Sequence, residues 1–67
     1  MYIVNYQWKH RGFFHFNEDV EYDVTSRQQL ISKVQRHIGT REYNQYHLVS
    51  LHITNIKEKG DGILKQE

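Results

Sequence analysis

Tyr2-Ile3-Val4-Asn5-Tyr6-Gln7-Trp8-Lys9-His10-Arg11-Gly12-Phe13-Phe14-His15-Phe16 is the stretch that decides the fold. Tyr2, Val4, Tyr6 and Trp8 alternate with Ile3, Asn5 and Gln7, the period of two that a strand shows when one face is buried. Residues 2–9 therefore read as a first strand. After Gly12 the run Phe13-Phe14-His15-Phe16 resumes an extended aromatic pattern, so the two segments read as a hairpin. A three-residue loop of His10, Arg11 and Gly12, with the glycine left-handed, sets Lys9 opposite Phe13. Trp8 then faces Phe14 and Tyr6 faces Phe16 on one side of the sheet, while Gln7 meets His15 on the other. Each aromatic pair contributes roughly 0.2 to 1 kcal/mol beyond alanine.

Working outward, Asn17-Glu18-Asp19 interrupts the second strand, yet Val20, Tyr22 and Val24 keep the phase of Phe14 and Phe16. One bent strand or two short ones satisfy this. Ser26 and Gln29 then have the spacing at which two side chains cap the first turn of a helix, and Gly39 supplies a stop. Between them Leu30, Ile31, Val34 and Ile38 share one side of the helix, opposite Gln28, Gln29, Ser32, Gln35 and Arg36. The segment Tyr46 to Ile56 alternates again, with Val49, Leu51 and Ile53 opposed by Leu48, Ser50, His52 and Thr54. A helical crossover returns the third strand parallel to the second, which lets it lie antiparallel beside the first. The predicted fold is thus a small α+β domain, β-β-α-β, with a three-stranded antiparallel sheet in the order 2-1-3. Its helix covers the face carrying Val4, Tyr6, Trp8, Phe14, Phe16, Val49, Leu51 and Ile53. Residues 1–57 form this domain and 58–67, with Gly60-Asp61-Gly62, a flexible tail.

Composition narrows the functions. With 67 residues, no Cys and no Pro, the chain has little core from which to carve a deep substrate pocket, and disulfides are excluded. Nine aromatic residues supply bulky packing instead. There is no Gly-rich phosphate loop, no G-x-S-x-G, no cysteine nucleophile and no H-E-x-x-H, so an enzyme is not expected. The apolar start Met1 to Val4 is far shorter than a signal peptide's core, and no run approaches a membrane span, which together with the lack of cysteine suggests a cytoplasmic protein with no membrane partner. A short cysteine-free chain opening on a strand is similar to many small proteins of bacteria and their phages, a likeness that carries no residue and no activity.

Five histidines invite a metal reading, but His10 with His15 and His47 with His52 are each five apart, which in a strand sends the rings to opposite faces. No metal and no cofactor is expected. Protonating all five would raise the formal charge from +1 to +6. Glu18, Asp19, Glu21 and Asp23 form an acidic segment without the internal glycine and terminal Glu of a calcium loop. It reads as a charged edge that discourages strand addition, or as a patch for a basic partner. Arg27, Lys33, Arg36 and Arg41 place opposite charge in and just after the helix, giving a dipolar surface suited to self-association.

The leading expectation is a non-catalytic protein–protein interaction module, self-associating as a homodimer or larger homo-oligomer. It meets its partner through the sheet face or edge that the helix leaves open. Ile3, Phe13, His15, Leu48 and His52 are the candidate contacts, because Ile3, Phe13 and Leu48 are apolar residues predicted outside the core. Two alternatives stand beside it. One is single-stranded nucleic-acid binding through the hairpin tip Lys9, His10 and Arg11 with Arg27, Arg36 and Arg41. The other is inhibition of a nucleic-acid-binding protein by the acidic segment. No small-molecule substrate is evident in the sequence.

Overall fold

The computed structural model describes residues 1–12 and 14–56. Strands β1 (Tyr2–His10) and β2 (His15–Tyr22) are followed by helix α1 (Arg27–Tyr43) and strand β3 (Tyr46–Asn55). The sheet order is β2-β1-β3, with both outer strands antiparallel to β1. The β-β-α-β architecture is therefore the one the sequence predicts; the proposed tail, 58–67, lies outside the described residues. Val4, Tyr6 and Trp8 on β1 are fully buried and meet Tyr22, Val24, Leu30 and Val34 beneath the helix.

The hairpin register differs from the expected one by two residues. Trp8 faces Phe16 and Lys9 faces His15, and the backbone N–H of His10 donates to the Phe14 carbonyl at 2.7 Å. The turn thus lies one residue later, still with Gly12 at a left-handed φ of 106°. A slip of two keeps every side chain on its own face, so the period cannot detect it. The observed pairing is the better one physically, because it sets Val4 against Val20 and Tyr2 against Tyr22. The expected register would have placed Val4 opposite Glu18. Nor does β2 break at 17–19: Asn17 and Asp19 point away from the helix, and Glu18 points toward it and is paired there.

The helix starts as expected. Ser26 is its N-cap and accepts from the Gln29 backbone N–H at 3.1 Å; Gln29 Oε1 in turn accepts from the Thr25 N–H at 3.2 Å. Gly39 is not the stop. The helix continues to Tyr43 and ends at Asn44, and Gln45 takes the positive φ of 73°. Glycine costs a helix interior about 1 kcal/mol relative to alanine, and contacts on either side of it, Ile38 on the core and Arg41 on β2, hold the extra turn.

β3 corrects a second expectation. Its register against β1 shifts between Gln7, opposite Ser50, and Trp8, opposite Leu48, so Val49 is a bulged extra residue. Leu48 consequently turns to the helix side and packs half-buried on the core, instead of lying outside it, while Val49 is exposed. Phe14, expected under the helix, is also exposed.

Candidate functional site

Two regions flank β1, and their chemistry is opposite. On the β2 side, the Glu18 carboxylate reaches across to the helix. Arg41 donates from Nε and Nη2 to Glu18 Oε1 at 3.1 and 2.9 Å, and His37 Nε2 lies 3.0 Å from Oε2. That Nε2 is buried, and Glu18 is the carboxylate it lies against among the described residues. Burial pushes the Glu18 carboxyl up, but the Arg41 hydrogen bonds and the charges of His37 and Arg41 outweigh it and hold the group below its ordinary value. Around this cluster Tyr6 stacks on Trp8 with centroids 5.5 Å apart, and the His37 ring tilts over Tyr6 at 4.6 Å. The Arg41 guanidinium also sits over Phe16 and Tyr46, at 5.9 and 5.7 Å, within reach of both ring faces. The arrangement works as a clamp, fastening the C-terminal half of α1 to the sheet.

Beneath the clamp the Tyr6 and Tyr22 hydroxyls share a 2.8 Å hydrogen bond. Burial raises both phenols; for Tyr6 the shared bond adds to the effect. The Trp8 indole N–H is buried with no partner among the described residues, a cost of about 1 to 3 kcal/mol that the surrounding ring packing offsets.

On the β3 side no ion pair ties the helix to the sheet among the described residues. The ten-residue edge Tyr-His-Leu-Val-Ser-Leu-His-Ile-Thr-Asn contains no Asp, Glu, Lys, Arg or Pro, the residues that usually blunt an exposed strand. Beyond the bulge, Leu51 and Ile53 face the helix side yet remain 36% and 49% exposed, and Ile31 on α1 is 46% exposed. A groove of about 330 Å³ opens there, lined by Tyr2, Arg27, Leu30, Ile31 and Ile53.

No family model matches the chain, and no match is found among curated proteins or solved structures.

The candidate residues fall as follows. Ile3, His15 and His52 lie on the helix-free face, with His52 opposite Asn5 and Ile3 opposite Thr54. Ile3 and His52 are neighbours there, whereas His15, opposite Lys9, lies three rows of the sheet from Ile3, about 20 Å away. Leu48 belongs to the other face, and Phe13 lies outside the described residues. The cations are dispersed: Lys9 is on the helix-free face, and the His10 ring tilts against Tyr46 at 4.9 Å. Arg11 is at the tip, Arg27 and Arg41 near opposite ends of α1, and Arg36 beside β2. The acidic segment is likewise divided. Glu18 faces the helix, Asp19 accepts from Asn5 Nδ2 at 2.7 Å on the other face, Glu21 shares that face, and Asp23 lies past the strand. Among the described residues no group of three or more His, Asp or Glu side chains converges as metal ligands do. No described helix is long and apolar enough to cross a membrane.

The clamp was missed by sequence reasoning. Leu30, Val34, His37 and Arg41 are spaced four, three and four apart, one continuous inward stripe that becomes visible only if the helix runs past Gly39.

Proposed function

We propose that this protein is a non-catalytic protein–protein interaction module that binds a second copy of itself by strand addition along β3. The supporting observation is the uncharged, proline-free edge of β3 beside the exposed side chains of Ile31, Leu51 and Ile53. An isologous contact needs a self-complementary surface, and an uncharged apolar strand meets its own copy without opposing like charges. Two identical antiparallel strands related by a two-fold axis keep their faces, so both helices lie on the same side of a six-stranded sheet. The two apolar patches then meet between them. The regular segment after the bulge, 50–55, centres this pairing on His52, which sets Leu51 opposite Ile53 of the second copy and Ser50 opposite Thr54. The cytosol is the proposed compartment, in keeping with a cysteine-free chain.

Because the chain has no native cysteine, one substitution tests the register. His52→Cys should oxidise to a disulfide-linked dimer, since directly opposed residues bring their Cα atoms to about 4.5 to 5.5 Å. Asn5→Cys, on the central strand, should not. Sedimentation of the unmodified protein over a concentration series should show a monomer–dimer equilibrium; a strict monomer at high micromolar concentration would falsify the proposal.

A further inference from the structure

Along the other flank of α1, Lys33, Arg36, His37 and Thr40 recur at helical spacing and face β2. With Val20 and Tyr22 they line a cleft of about 320 Å³, and a second depression of about 300 Å³ continues from Lys33 and Arg36 toward Asp23, Val24, Gln29 and Ser32. Glu18, the carboxylate nearest His37, is already engaged by His37 and Arg41. Among the described residues neither Lys33 nor Arg36 forms an ion pair, although Asp23 lines the second depression with them. The floor between β2 and the helix is the buried Tyr22 ring and the half-buried Val20. The Tyr22 hydroxyl is turned to Tyr6, so the ring, not the oxygen, is what the cleft offers.

Two cations without an ion-pair partner among the described residues, beside an apolar floor, suit a ligand with a flat body and an anionic end. The geometry points to a binding site for a small phosphate monoester with a planar body. Arg36 supplies a planar donor fork that matches phosphate oxygens, Lys33 a second point charge, and Val20 and Tyr22 the surface against which the body lies. The cleft is on the β2 side, away from the β3 edge, so the assignment does not rest on self-association and monomer and dimer present the same site.

Titration of the isotopically labelled full chain with phenyl phosphate, followed by amide chemical shifts, tests it. The expected result is saturable shifts confined to Val20, Tyr22, Lys33, Arg36, His37 and Thr40. Lys33→Gln and Arg36→Gln should each weaken binding by on the order of tenfold, the loss of one charge-assisted contact. Both side chains are exposed, so neither change threatens the fold. Inorganic phosphate should bind several-fold more weakly, because it lacks the body, and so should benzoate, whose carboxylate offers less charge and fewer acceptor oxygens; benzoate binding as tightly as phenyl phosphate would overturn the phosphate assignment. Shifts that never saturate overturn the assignment. So do shifts spread over Lys9, Arg11 and Arg27 as well, or inorganic phosphate binding as tightly as phenyl phosphate.

Discussion

The two outer strands share β1 as their neighbour and differ in nearly everything else. β2 carries Glu18, Asp19 and Glu21 within eight residues and is tied to α1 through the Glu18 clamp. β3 is longer, has no formal charge, and leaves Leu51 and Ile53 partly in water. A sheet edge is a row of unpaired backbone donors and acceptors, so the side chains along it decide whether another strand can join. Both outer strands are edges; β2 carries charge along its own and is anchored to the helix, and among the described residues nothing covers the uncharged edge of β3. The contrast is one of charge: among the described residues the ion pairs that tie the helix to the sheet lie on the β2 side, whereas on the β3 side the helix rests on side-chain packing alone, and under the proposed self-association that is where a second copy would find both backbone and apolar surface.

The largest change comes from cutting the anchor. Glu18→Ala strands Arg41 and His37 against the rings and should cost about 2 kcal/mol, between the values for exposed and fully buried pairs, read as a lower urea midpoint with an unchanged slope. The same group sets an acid limb. Its carboxyl is held low in the folded protein, so its stabilisation is present above the ordinary carboxylate range and disappears as pH falls through the folded value. Thermal midpoints measured from neutral to about pH 3 should fall less steeply in Glu18→Gln than in the parent.

Next in size is the open edge. Ile53→Lys adds a charge that would lie opposite Leu51 of the second copy, and self-association should drop by at least tenfold while far-UV circular dichroism is unchanged. If the variant still dimerises with parental affinity, the contrast between the edges is not what governs assembly. The converse substitution sharpens it: Asp19→Thr together with Glu21→Thr discharges the helix-free face of β2. A second permissive edge should convert dimers into longer assemblies, visible as concentration-dependent light scattering. The smallest expected effect is at Gly39, exposed and with open space where a Cβ would stand. Gly39→Ala should stabilise the fold by about 0.5 to 1 kcal/mol by stiffening the helix that carries the clamp, measurable as a rise in the thermal midpoint.

Much of the fold was legible because period-two patterning in residues 2–9 and 46–56 fixes faces, and Ser26 fixes the helix start. What escaped was whatever preserves or confuses that period. The two-residue slip of the hairpin leaves every face intact. In β3, apolar residues at 46, 48 and 49 and again at 51 and 53 fit either phase, so the bulge at Val49 and the inward turn of Leu48 leave no local trace. Gly39 carries a genuine stop signal that a distant contact overrides, since Glu18 and Arg41 are 23 positions apart. The nominated contact surface depended on those details. Ile3 and His52 keep their place on the helix-free face, Leu48 does not, and the uncharged character of β3, plain in the sequence, belongs to the strand's edge and to neither of its faces.

The lone tryptophan gives the molecule its own optical gauge. Trp8 is fully buried, stacked on Tyr6 and edge-on to His37 at 6.1 Å, so its emission should be blue-shifted while the helix is seated. Any event that lifts the C-terminal half of α1 should redden that emission before the sheet itself comes apart, letting helix undocking be timed separately from global unfolding without attaching a dye.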